Sequence, residues 1–183
     1  MNKKYLLAGL FVASLGSTSI AAAGAGDAYA GFSLGNASPD SSFFDDAIGW
    51  KVFGGYQLNE VLAVEGGYIS FGEMDGPIVP STFGNISTSV EPTGLEVAAV
   101  GNFPINSQFS LFGKVGLLAW DFKANASLPG ISASDSTTGT DVFFGLGAQY
   151  EISANLAVRG SWESYSMDEA DIDFLSLSAV FGF

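Results

Sequence analysis

The sequence predicts an all-β fold, an eight-stranded antiparallel up-and-down barrel that crosses a membrane, and three observations carry that prediction. Eight stretches alternate apolar with small or polar residues and are separated by turn formers, the pattern of strands with one apolar face. Tight connections alternate with long ones, as they do when successive strands turn at opposite ends of one sheet. The chain also stops inside a strand: Leu175, Leu177, Ala179, Phe181 and Phe183 share one face, and Phe174, Ser176, Ser178, Val180 and Gly182 share the other. A free chain end frays unless it is tied into a sheet, so Phe183 must have strand neighbours.

Residues Met1 to Ala23 read as an export leader. Lys3 and Lys4 precede an apolar run from Leu6 to Ile20, which small residues follow. Cleavage after Ala23 or after Ala25 satisfies the small-x-small rule, and Ala23 is the expected site. A retained anchor would need ~20 apolar residues, more than this run offers. Residues 24–183 are then a single barrel domain.

The first strand is expected roughly from Ala28 to Gly35. The second, Ala47 to Leu58, sets Ile48, Trp50, Val52, Tyr56 and Leu58 against Gly49, Lys51, Phe53, Gly55 and Gln57. Asn59-Glu60 turns the chain into the third, Leu62 to Phe71, where Val64 and Tyr68 oppose Glu65 and Gly67. In the fourth, Thr93 to Phe103, Leu95, Val97, Ala99 and Phe103 oppose Glu96, Ala98 and Asn102. Pro104 to Gln108 turns it into the fifth, Phe109 to Phe122, with Leu111, Val115 and Leu117 opposite Ser110, Phe112, Lys114 and Gly116. The sixth, Thr140 to Ile152, alternates Phe144, Leu146, Ala148 and Tyr150 with Gly145, Gly147 and Gln149. After Ser153-Ala154-Asn155 the seventh, Leu156 to Met167, sets Val158 and Trp162 against Arg159, Ser161, Glu163 and Tyr165. The eighth is the terminal strand. Long polar loops are expected at Asn36 to Asp46, Glu73 to Pro92 and Lys123 to Gly139, with a short one at Asp168 to Ala170.

Periodicity alone does not say whether the apolar face points inward or into lipid. The strand-borne charges do: Lys51, Glu65, Glu96, Lys114, Arg159 and Glu163 all fall on the polar face, three of each sign. A soluble exterior would carry more charges, scattered, whereas an enclosed lumen needs each charge partnered. The same face is rich in Gly and Ser, as the narrow interior of an eight-stranded barrel requires. Trp50, Tyr56, Tyr68, Tyr150, Trp162 and Phe183 sit near strand ends on the apolar face, where interfacial aromatic girdles collect. A soluble calycin-like barrel would need the opposite polarity. Closure is required as well, because unpaired backbone groups in hydrocarbon cost several kcal/mol each.

Composition narrows the chemistry. There are no His and no Cys residues, which removes Ser-His triads, thiol nucleophiles, imidazole metal ligands and disulfides. No enzyme and no cofactor is expected, and the three Glu residues are read as ion-pair partners of Lys51, Lys114 and Arg159. After loss of the leader only four basic residues face nineteen acids, so nucleic acid is excluded as a partner. Asp168, Glu169, Asp171 and Asp173 form an acidic group that could bridge to lipopolysaccharide through divalent cations, though a calcium loop's Gly turn and distant bidentate Glu are missing.

The segments GWKVFGGYQLN (Gly49 to Asn59), LAVEGGY (Leu62 to Tyr68), FSLFGKVG (Phe109 to Gly116), GLGAQY (Gly145 to Tyr150) and NLAVRGSWE (Asn155 to Glu163), in this order and register, resemble the transmembrane barrel of the outer-membrane protein A (OmpA) family. That resemblance covers essentially all of the mature chain and implies a Gram-negative outer membrane, with both mature termini in the periplasm. It also implies that Phe183, with Phe181 and Leu177 on its face, is the signal read by the barrel-assembly machinery. The long form of the family carries a peptidoglycan-binding domain; the present residues match only the short form, so no wall anchor is expected from them. The expected role is structural, in envelope integrity, with the long loops as a surface for an extracellular ligand or host surface. The rival expectation is a small porin-like pore, in which the six lumenal charges exchange partners to open an ion path. Outer-membrane lipid and lipopolysaccharide are expected neighbours, and the protein is expected to be a monomer.

Overall fold

The computed structural model describes residues 26–40, 45–75, 79–81, 84–128, 131–167 and 171–183. The expected leader and both cleavage positions lie outside these residues. Among the described residues there are ten strands: β1 (Ala28–Pro39), β2 (Ala47–Gln57), β3 (Leu62–Ser70), β4 (Met74–Asp75), β5 (Val79–Ser81), β6 (Gly84–Pro104), β7 (Phe109–Leu128), β8 (Ile131–Ser153), β9 (Leu156–Ser166) and β10 (Asp171–Gly182). Eight of them form the barrel wall in the cyclic order β1-β2-β3-β6-β7-β8-β9-β10, every pair antiparallel. The short β4 and β5 pair only with the outer part of β6.

The seam is closed by β1 on β10, in register from Tyr29 opposite Gly182 to Pro39 opposite Ile172. The chain end is tied on both sides. The Phe183 N–H donates to the Ala28 carbonyl at 2.9 Å, and the Gly182 N–H donates to the Asn155 carbonyl at 3.0 Å. Two of the tight turns share one device. Asn59 Oδ1 accepts the N–H groups of Val61 and Leu62, and Asn106 Oδ1 accepts those of Gln108 and Phe109, all at 2.9 Å. An Asn side chain that mimics a backbone carbonyl is what lets so short a link reverse the strand.

At the opposite end the structure corrects the sequence. Glu73 to Pro92 and Lys123 to Gly139 were expected as loops, yet most of their described residues are strand. β6 starts at Gly84, β7 runs on to Leu128, and β8 begins at Ile131, with unbroken pairing of Ser87 to Ser127 and of Leu128 to Ile131. β1 likewise continues past Gly35 to Pro39, and β10 begins at Asp171, taking in Asp171 and Asp173 of the acidic group. The reason is physical. Alternation reports that the two faces of a sheet meet different surroundings, and a ribbon that stands clear of the membrane meets water on both faces. The pattern fades there while the backbone ladder continues.

Across the wall, burial is the inverse of a soluble protein's. Ile48, Leu95, Leu175 and Leu177 are more than 60% exposed, while Lys51, Glu65 and Glu163 are at 2% or less. The bare apolar surface forms a continuous belt far larger than a soluble monomer shows. Lipid is the solvent that makes it stable, and on a tilted strand it amounts to a band ~25 Å tall.

Candidate functional site

The lumenal charges come from alternate positions of five strands. β2 points Lys51 inward, β3 Glu65, β6 Glu96, β7 Lys114, and β9 both Arg159 and Glu163. All six side chains are buried and meet in one network. Glu163 bonds both Lys51 and Lys114, the latter with Nζ 2.5 Å from Oε1. Lys51 also lies 3.3 Å from Glu96, and Lys114 lies 3.4 Å from Glu65. Arg159 Nη1 donates to Glu65 Oε1 at 2.5 Å, while its Nε and Nη2 donate to Gln149 Oε1.

Two tyrosines complete the set. The Tyr29 hydroxyl donates to Glu65 at 2.8 Å. The Tyr165 hydroxyl lies 2.6 Å from Glu163 Oε2 and 2.9 Å from Glu96 Oε2, so its single proton is shared between two carboxylates. Aromatic faces take up the cations: the Arg159 guanidinium carbon is 4.6 Å from the Phe112 ring centre and 5.4 Å from that of Phe53. Desolvated cation–π contacts of this kind are worth ~2 kcal/mol. Tyr165 and Phe53 could be placed on the inward face by counting in twos. Their bonding to particular partners could not, since it depends on the shear between strands.

The network sits between two apolar layers. On the turn side, Tyr29, Phe53, Ala63, Val100, Phe112, Ala157 and Val180 pack together. Toward the other rim a larger cluster includes Phe71, Met74, Leu118, Trp120, Phe143, Tyr165, Ile172 and Phe174. Tyr165 stacks on Phe143 at 4.8 Å and meets the edge of Phe71 at 5.0 Å. The sequence points to a lumen of charges and small residues; the structure adds a largely apolar layer on each side of them, with the Tyr29 and Tyr165 hydroxyls turned into the charged network.

Outside the lumen, Phe181 and Leu177 face outward and are 52% and 64% exposed. Of the expected girdle, Trp50, Tyr56 and Tyr150 are exposed outward, Trp50 lies against Tyr68, and Trp162 meets Phe144 edge-on, each pair at 5.6 Å. Asp171 and Asp173 are exposed, whereas Asp168 and Glu169 lie outside the described residues. Among the described residues no three Asp or Glu side chains converge at metal-binding distance.

A closed eight-stranded barrel with a lipid-facing apolar belt, a filled lumen and tight turns at one end defines the class: a β-barrel protein of the outer membrane. The chain belongs to the outer membrane protein beta-barrel domain family, whose family model matches residues 8–183. That family is one of non-enzymatic membrane barrels. Outer membrane protein A of Shigella flexneri is 29% identical over 116 residues, covering 63% of this chain and 32% of that protein. The chain thus spans about a third of such relatives' length, their barrel portion. Among solved structures, OprG of Pseudomonas aeruginosa superimposes with a TM-score of 0.67 at 12% identity, over 89% of this chain and 99% of that one. Ail of Yersinia pestis, solved in complex with the heparin analogue sucrose octasulfate, gives 0.58 at 20% identity, over 86% and 97%. At these identities the two structures speak for the fold.

Proposed function

We propose that this protein is a sealed structural barrel of the outer membrane that displays an acidic β-ribbon surface for contact outside the cell, with its tight turns and both mature termini in the periplasm. The observation that carries this reading is the division of labour between its ends. The lumen is shut by ion pairs and two apolar layers, while β6, β7 and β8 rise beyond the belt as paired ribbons. Glu73, Asp75, Glu91, Asp135, Asp171 and Asp173 are exposed at that end. Lys123 is the one basic residue outside the leader and the lumen. A sulfated polyanion of the kind bound to Ail would be repelled from such a surface, so a cationic partner is the better fit.

Replacing Glu73, Asp75, Glu91, Asp135, Asp171 and Asp173 with their amides tests this reading. Cells making the intact protein should be retained on a polylysine-coated surface and not on a heparin-coated one, and the neutralised variant should lose most of that retention. The barrel itself should persist, seen as a change of electrophoretic mobility on boiling. Equal retention of the two proteins would sink the proposal.

The pore reading rests on the doubled partners of Glu65 and Glu163, which could be exchanged in pairs. It predicts discrete openings in planar bilayers and a changed conductance for Glu65→Gln or Arg159→Gln. The apolar layers favour a silent barrel, with no openings in the wild type or in either variant.

A further inference from the structure

On the outer wall, where the apolar belt gives way to polar residues, lies a recess of about 570 Å³ across β3, β6, β7 and β8. Its working residues are Tyr68, Thr93, Ala119, Asp121, Thr138 and Thr140. Strand register sets them in two rungs. Thr93, Asp121 and Thr138 stand side by side in one, and Tyr68, Leu95, Ala119 and Thr140 in the next. Below these the outward positions turn apolar, with Val97, Leu117 and Val142 about half exposed or more.

Asp121 is the unusual member. A carboxylate on the outer wall at the edge of the belt is costly unless something donates to it. Its Oδ1 is covered and has no hydrogen-bond donor among the described residues. The Trp120 indole beside it points the other way, donating to Asp141 inside the wall at 2.7 Å. The carboxylate therefore gains by turning toward a donor placed in the recess.

We propose that this recess binds the sugar head group of an outer-leaflet glycolipid, whose acyl chains lie down the apolar rungs beneath it. The proposal rests on the reading that the ribbon end faces outward. Three features select a sugar over other head groups. Thr93, Asp121 and Thr138 spread hydrogen-bonding groups across two inter-strand spacings, ~10 Å, which matches a saccharide and exceeds a single ammonium group. The Tyr68 ring and the small Ala119 line the recess and leave room for a flat, partly apolar ring. The carboxylate accepts from hydroxyl and amine donors and repels a phosphate placed against it.

The test uses the refolded, isotope-labelled barrel in detergent micelles, so its result does not depend on orientation in the cell. Deep-rough lipopolysaccharide is titrated in and the backbone amide resonances of Ala119, Asp121, Thr138 and Thr140 are followed. Saturable shifts confined to these rungs are expected, with the midpoint raised at least tenfold in Ala119→Trp, which fills the recess from the lipid side, and severalfold in Asp121→Asn. Mobility before and after boiling verifies that each variant is folded, and Asp121→Asn decides the matter alone if Ala119→Trp does not refold. No saturable shift, an unchanged midpoint in the folded variants, or an equal response to phosphatidylethanolamine would overturn the proposal. Orientation is read separately, by labelling Ser136→Cys in intact cells with an impermeant thiol reagent; failure there would unseat the functional reading and not the binding itself.

Discussion

Replacing Glu163 with Ala should cost ~3–5 kcal/mol of barrel stability, the range for removing one partner of a buried ion pair. Glu163 is fully buried and holds Lys51, Lys114 and the Tyr165 hydroxyl at once. Its loss leaves two ammonium groups over one fewer carboxylate, in a layer that the apolar clusters on either side keep from water. The other carboxylates grade the effect. Glu65 also serves two cations, so Glu65→Ala should fall close to Glu163→Ala; Glu96 serves a single cation, Lys51, besides the Tyr165 hydroxyl, and Glu96→Ala should cost less. Glu163→Gln keeps the size and one acceptor and should fall between. Urea unfolding of the refolded protein in lipid vesicles, followed by tryptophan fluorescence, measures all four. A midpoint for Glu163→Ala that matches wild type would mean a hydrated lumen in which the charges are screened. The pore reading would then regain ground.

The same network shows what a sequence of this kind makes legible. Lys51, Glu65, Glu96, Lys114, Arg159 and Glu163 could be assigned to one face because a strand's side chains alternate with a fixed period of two. Charge balance then required them to meet. Which of them pair could not be read, because Arg159 lies in register with Gln149 and Ser178 on the adjacent strands and yet reaches Glu65 across the lumen. Cross-lumen contacts follow from shear and tilt, which alternation does not encode.

The apolar layers were half visible. Phe53, Phe112 and Phe174 stand on the inward face in the sequence, but nothing local distinguishes an inward Phe that fills a gap from one that helps to seal a lumen. The ribbons were not visible at all as strands. In Asp135 to Thr138 the residues offer nothing more distinct than Asp, Ser and Thr, all exposed, and only backbone pairing with β7 marks them as β structure. The long connections were correctly placed at one end and wrongly taken as irregular.

Deleting Phe183 should lower the yield of barrel in the outer membrane at least tenfold, far beyond what its contacts are worth. In the folded protein the residue contributes one backbone hydrogen bond, to Ala28 across the seam, and a partly buried ring. Together these amount to ~2 kcal/mol. A barrel closed by eleven residue pairs along β1 and β10 tolerates that loss, so the purified deletion variant should refold in vesicles with only a modestly lower urea midpoint. The expected collapse of yield in cells therefore belongs to a step before folding, the recognition of the unfolded chain by the assembly machinery, through Phe183 with Phe181 and Leu177 on the same outward face. Phe183→Ala separates the two contributions, because it keeps the amide that bonds Ala28 and removes only the ring. If the ring is what is recognised, this variant should assemble as poorly as the deletion while its refolded stability stays near wild type. Normal yield of either variant would show that Phe183 does no more than close the seam.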